Sequence, residues 1–344
     1  MPATLYLETY GLSLKKTSGM LRIARDQETL QEISALKVAS VVVAAEGVNL
    51  SGGAVRVCME NNIPIFFFPD LKGKSSVLAP VESRWPERQA AQIRLQENPD
   101  TILNLSRAFV TGKVRNQLSL MKYFKGAGRK KDRIFASRMD EYEGKLPRIM
   151  GELKNMKPIE DLRLMRDRVF SAEGRAAIPY WKAVRSLVPE SMNFPGRVRQ
   201  GATDPVNSLL NYGYAILGTK VHQCILEHGL STYFSFLHTP QRGRPSLVYD
   251  LMEEFRAWAV DRVVLGMIGK GRCPEMDKQG KIRLEDRRFL IQRLEKRWAT
   301  DDLLRMVGDQ ITVMRGLLEK GEDYRPVVYN SRYSSGKSGL KKKT

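Results

Sequence analysis

Near residue 80 the apolar pattern of this chain changes period, and that change restricts the folds open to it. Up to about Val81, short apolar runs of strand length alternate with turn signals: Leu5–Glu8, Leu12–Leu14, Leu21–Ala24, Ser40–Ala44 and the strongly apolar Ile63–Phe68. Ser51 is placed to cap one helix running to Asn61, with Val55, Cys58 and Met59 turned inward. Gly52-Gly53 beside that cap reads as a tight turn rather than a phosphate cradle, because no P-loop lysine follows. From Pro86 onward the pattern is helical. Pro86-Glu87-Arg88-Gln89 marks a helix start, with proline tolerated in the first turn and an acid at the positive end. The expected fold is therefore α+β. A small β-rich N-terminal domain (1–80) and a linker (81–86) precede a larger, mostly α-helical domain (87–330). Ser331–Thr344 combines Ser, Gly and Lys with almost no apolar content and is expected to be disordered.

Charge narrows the class of partner. Across 344 residues, 57 Lys and Arg face 38 Asp and Glu, a formal charge of +19. Such an excess calls for a polyanion, with nucleic acid ahead of an anionic membrane surface. No apolar run reaches the roughly 18 residues of a membrane span, and the first residues lack a signal-peptide pattern. Three scattered cysteines, Cys58, Cys224 and Cys273, match neither a zinc motif nor a disulfide framework, so a reducing cytoplasm is expected. The stretch Lys113–Arg138 is crowded with cations, with Tyr123 and Phe124 among them. It reads either as a solvated helix face broken at Gly126-Ala127-Gly128 or as a surface for phosphates.

Three segments carry the residue types of phosphodiester chemistry. The first is Phe170-Ser171-Ala172-Glu173-Gly174-Arg175-Ala176-Ala177; the second opens Asp204-Pro205-Val206-Asn207. The third runs from Phe236-Leu237-His238 through a Gln241-Arg242-Gly243-Arg244-Pro245 turn into Ser246–Arg256. In that last helix Asp250 and Glu253 are three apart and share a face. Leu247, Leu251, Phe255 and Trp258 follow the apolar spacing of the other side. Each feature has a plain structural reading when taken singly. Glu173 before glycine reads as a solvated helix residue, His238 as a core histidine, and Asp250 with Glu253 as an exposed face. Asp204-Pro205 reads as an N-cap followed by proline in the first helical position. Asn207 either supports a site or makes an inter-helix hydrogen bond.

As an ordered set these segments resemble the CRISPR-associated integrases of spacer acquisition, the Cas-one family. The resemblance rests on Glu-Gly-Arg-Ala-Ala, Asp-Pro-x-Asn-x-x-Leu, Phe-Leu-His and Ser-Leu-x-x-Asp-Leu-Met-Glu-x-Phe-Arg, in that order, and spans nearly the whole chain. It implies that residues 87–330 form a metal-dependent catalytic domain with Glu173, His238 and Glu253 as ligands of one divalent cation. Glu254 stands next to the third ligand. Helical geometry favours Glu253, which shares a face with Asp250, whereas Glu254 is turned about 100° away. Asp250 then backs the ligands or joins them. Two carboxylates and one imidazole suit Mg²⁺ or Mn²⁺, with the nitrogen favouring Mn²⁺. Arg175, Arg242, Arg244 and Arg256 either hold non-bridging phosphate oxygens or pair with acids nearby.

The implied activity is that of a metal-dependent DNA endonuclease and integrase of CRISPR adaptation. It joins the 3′-hydroxyl ends of prespacer DNA to the CRISPR repeat by transesterification. The implied partners are double-stranded DNA (prespacer and repeat), a second copy of the chain in a homodimer, and the small Cas-two protein; no membrane is involved. Two rival readings remain. One is a mobile-element integrase or branched-DNA nuclease of related fold. The other is a basic nucleic-acid-binding protein without catalysis.

Overall fold

The computed structural model describes residues 2–68, 76–80, 86–126, 133–199, 201–277 and 280–329. It divides into two compact units, Met1–Arg84 and Trp85–Thr344. The chain is α+β, β-rich at its N-terminal end and mostly helical thereafter. Residues 81–85 of the expected linker, the Ala127-Gly128 break and the tail from Ser331 lie outside the described residues.

The first unit holds two four-stranded sheets. In one, β1 (Ala3–Leu7) runs parallel to β5 (Val38–Val43), which runs parallel to β7 (Ile65–Phe67); β8 (Ser76–Leu78) closes the edge antiparallel. In the other, β2 (Leu12–Thr17), β3 (Met20–Arg25) and β4 (Glu28–Ser34) form an antiparallel meander, and β6 (Asn49–Leu50) pairs parallel with β2. Helix α1 (Gly52–Glu60) starts where expected, the Ser51 hydroxyl accepting from the Ala54 N–H. Its buried residues are Ala54, Val57 and Cys58, while Val55 and Met59 pack part-buried at the margin of the same core. The helix is thus rotated slightly from the expected inner face. Strand β4 escaped the sequence reading for a physical reason. Glu28-Thr29-Leu30-Gln31-Glu32 is exposed on an edge strand, so no apolar alternation marks it.

The second unit comprises α2 (Pro86–Leu95), α3 (Pro99–Gly126), α4 (Arg133–Asn155), α5 (Leu162–Arg185), α6 (Pro205–Glu227), α7 (Ser246–Arg256), α8 (Arg262–Ile268), α9 (Leu284–Asp301) and α10 (Leu303–Lys320). Helix α3 packs against α5 and α7, and α7 also packs against α6. Two glycines allow the close approaches. A Cβ on Gly112 of α3 would lie 2.8 Å from Pro326 Cβ and 3.0 Å from Glu254 Cγ; one on Gly213 of α6 would lie 2.6 Å from Val260 Cγ1. Leu247, Leu251, Phe255 and Trp258 are buried, as their spacing predicts. The helix changes pitch before Trp258, however: Ala257–Asp261 is one π-helical turn joining α7 to α8. No helix among the described residues is long and apolar enough to cross a membrane.

Candidate active site

Polar side chains of four helices shape the loop that carries His238. Gln92 of α2 donates to the carbonyls of Ser231 and Phe234 and accepts from the Ser231 N–H. Ser106 of α3 and Arg166 of α5 both donate to the Phe236 carbonyl at 3.0 Å. Asp250, fully buried in α7, organises the rest. Its Oδ2 accepts from the N–H groups of Phe236 and Leu237 at 2.7 and 2.9 Å. Its Oδ1 accepts from the His238 N–H and lies 2.7 Å from His238 Nδ1. A carboxylate already serving three N–H groups acts on the imidazole as an acceptor, so the proton sits on Nδ1 and the Nε2 lone pair is left for a ligand. The ring packs edge-on against Phe170, 5.2 Å between centroids.

One turn beyond Phe170 on α5, and on the same face, Glu173 meets Glu253 of α7 at a shared cation. That cation is Lys113. Its Nζ lies 2.5 Å from Glu173 Oε1 and 2.7 Å from Glu253 Oε2. The side chains of the three are only 11%, 13% and 8% exposed, so the charges meet nearly out of water. Glu253 Oε1 faces a second cation, Arg256 Nε at 3.3 Å. Burial by itself raises the Glu253 pKa; the positive charges of Arg256 and Lys113 outweigh it and hold the carboxyl at about 2. Burial likewise opposes the Lys113 ammonium, but Glu253 and Glu173 together keep its pKa above the ordinary lysine value.

The neighbouring glutamates of α7 have opposite fates. Glu254 turns toward the C-terminal segment, accepting from Tyr324 Oη at 2.5 Å and the Val327 N–H at 2.6 Å. With no cation beside it among the described residues, burial pushes its pKa up to about 8. Glu253 is the charged one and faces the site.

The remaining expected residues are placed as follows. Asn207 binds Asp204, the Gly196 carbonyl, the Val198 N–H and Arg197, and so braces that loop. None of its hydrogen bonds among the described residues reaches Glu173, His238 or Glu253. Asp204 caps α6 through the Asn207 N–H, with Pro205 in the first turn. Arg175 is exposed and pairs with Glu152 at 2.5 Å. Arg256 is held by Glu253 and lies over the Tyr214 ring at 4.8 Å. Arg242 and Arg244 are exposed in their turn, with Arg244 4.8 Å above the Tyr249 ring.

Lys113, in a basic stretch whose sequence reads either as a solvated helix face or as a phosphate surface, is instead buried against two acids. A local signal exists: Leu105, Phe109, Lys113, Asn116 and Leu120 recur at helical spacing, a buried stripe interrupted by one lysine and one asparagine. Asn116 is fully buried too; its amide donates to the carbonyls of Glu254 and Val327 and accepts from the Tyr329 N–H.

Among the described residues no three His, Cys, Asp or Glu side chains form a ready-made metal cluster. The donor chemistry nonetheless fits a divalent ion. Two carboxylates, Glu253 buried and Glu173 partly so, already converge on one positive charge, and Glu253 Oε2, though 2.7 Å from Lys113 Nζ, is left without a well-directed hydrogen bond. The His238 ring, oriented through Nδ1, packs on Phe170, one turn before Glu173 on α5. Oxygen donors with one nitrogen are a set that Mg²⁺ or Mn²⁺ accepts.

Comparison with known proteins agrees over most of the length. A family model described as CRISPR associated protein Cas1 matches residues 5–296. The CRISPR-associated endonuclease Cas1 1 of Thermus thermophilus is 31% identical over 299 residues, 86% of either chain. A casposase bound to integration product shares the fold, with a TM-score of 0.78 at 21% identity over 96% of this chain and 95% of that one. A chain of a Cas6-RT-Cas1–Cas2 complex also gives 0.78, at 19% identity, over 96% of this chain and 36% of that one.

Proposed function

This chain belongs to the CRISPR-associated Cas1 family, and on that premise we propose that it is a metal-dependent DNA integrase of spacer acquisition. The observation that carries the reading is the meeting of Glu173 and Glu253, from separate helices, at one cation, with His238 packed on Phe170 one turn before Glu173. Glu173, Glu253 and His238 Nε2 would hold Mg²⁺ or Mn²⁺. Bound there, the ion supplies Lewis-acid chemistry, polarising the scissile phosphate and stabilising the leaving 3′-oxygen.

The protein's own groups do the rest. Asp250 keeps the His238 proton on Nδ1 and fixes the ring. The packing around Lys113, Glu173 and Glu253 excludes water, which strengthens every charge interaction inside the site. No protein nucleophile is needed, since the 3′-hydroxyl of the incoming strand attacks phosphorus. Arg242 and Arg244, exposed in the turn between His238 and α7, would hold DNA phosphates. A net charge of +19 supports DNA as substrate.

Action as a homodimer and with a Cas2 protein belongs to the same proposal, the Cas2 part supported by the likeness to a Cas6-RT-Cas1–Cas2 complex chain. The 31% identical relative carries a CRISPR-associated name, which favours the CRISPR reading over a mobile element. The test is strand joining of a short duplex to a repeat-bearing plasmid, with Mn²⁺ and with Cas2. Folded Glu173→Ala is expected to lose joining while keeping DNA affinity. Normal joining by that variant ends the reading.

A further inference from the structure

The cation between the two glutamates comes from α3, a helix that supplies none of the proposed metal ligands. Two carboxylates set side by side and largely withdrawn from water repel each other, and keeping them there without a counter-charge is costly. Lys113 removes that cost by touching one oxygen of each, at 2.5 and 2.7 Å. An ion bonded to both carboxylates would sit about 2.0–2.3 Å from its oxygens, and so within the space the ammonium fills. Two positive charges pressed together there repel strongly in a site shielded from water. The second cation, Arg256, is held differently: its guanidinium contacts Glu253 on one side and lies over the Tyr214 ring on the other. Lysine has a flexible four-carbon stem and a compact head, which suit withdrawal better than a stacked, planar guanidinium.

We propose that Lys113 is a resident counter-cation, holding Glu173 and Glu253 together in the metal-free protein and displaced when a divalent ion binds. Metal loading is then an exchange of cations, and the lysine sets how much metal the site requires. The inference rests on the metal-centre reading above.

The experiment is a Mn²⁺ titration of the full-length protein, with free Mn²⁺ read by electron paramagnetic resonance. The proteins are wild type, Lys113→Met, and the double variant Glu173→Gln/Glu253→Gln. Lys113→Met is expected to bind Mn²⁺ about tenfold or more tightly than wild type. It is also expected to melt below wild type in EDTA, with the gap closing when Mn²⁺ is added. A folded Lys113→Met that binds Mn²⁺ no better than wild type overturns the exchange while leaving the metal centre standing. Uptake by none of the proteins, or uptake that survives in the double glutamine variant, overturns the metal centre itself and the exchange with it. A wild-type measurement covers the case in which Lys113→Met does not fold. Acylation by an N-hydroxysuccinimide ester, read by mass spectrometry, should spare Lys113 in EDTA and label it in saturating Mn²⁺. Equal labelling in both conditions overturns the proposal.

Discussion

Asp250 holds His238 at two points with a single oxygen: Oδ1 lies 2.7 Å from the ring Nδ1 and accepts from the backbone N–H at 2.9 Å. Its other oxygen serves Phe236 and Leu237, so one buried side chain shapes the loop and orients the imidazole together. Asp250→Asn would turn an amide N–H₂ toward backbone donors. We expect a stability loss of about 2–4 kcal/mol from the unpaired buried groups. We also expect Mn²⁺ affinity to fall by about 10–100-fold through loss of ring orientation. Denaturant unfolding and Mn²⁺ titration of the same preparation check both; unchanged values in both remove Asp250 from its assigned role.

Glu254 and Glu253 are adjacent yet should respond oppositely to glutamine. Burial favours the protonated form of Glu254, and glutamine reproduces one acceptor and one donor for Val327 and Tyr324. Glu254→Gln is therefore expected to unfold within about 1 kcal/mol of wild type, while Glu254→Ala loses both bonds and about 2–4 kcal/mol. Glu253→Gln, by contrast, should abolish strand joining. Equal joining by the Glu253→Gln and Glu254→Gln variants contradicts the assignment of the site-facing residue.

His222, buried in α6, has its pKa pushed down to about 4 from 6.5 by desolvation. Between those values the unfolded chain binds a proton that the native one refuses, so stability falls as pH drops through this window. The full contribution is about 3 kcal/mol, of which about 2 should be lost between pH 7 and pH 5. Subtracting the pH dependence of His222→Leu from that of wild type, by denaturant unfolding, isolates the effect. A difference curve flat across this range refutes it.

Duplex DNA affinity should weaken steeply with salt, since each neutralised phosphate contributes a log–log slope of about −0.9. If Arg242 and Arg244 each meet one phosphate, the double alanine variant should have a slope shallower by about 1.8. Both are exposed, so its melting temperature should match wild type. Fluorescence anisotropy between about 50 and 200 mM salt measures this. An unaltered slope returns the pair to ordinary surface charge.

Local sequence carried the features that depend on one or two turns of chain. Ser51 capping α1, and Asp204 with Pro205 opening α6, could be read directly, because a cap is satisfied by N–H groups two or three residues away. The apolar stripe of α7 and the change of period near residue 80 followed from the same short-range geometry. The order of Glu173, His238 and Glu253 was legible only as a resemblance to a family, since each residue alone has an ordinary structural reading. Tertiary structure decided which charges meet. Lys113 and Glu173 are 60 residues apart, and they touch because α3, α5 and α7 pack together, with Gly112 letting α3 approach α7. That packing buries a lysine expected on a solvated or phosphate-binding surface, divides Glu253 from Glu254 by the cations that the described residues bring to Glu253 alone, and commits Asn207 to a loop. A side chain's charge state depends on how much water its neighbours remove and which opposite charges they bring. Those neighbours come from distant parts of the chain, so residue type and local spacing do not determine it.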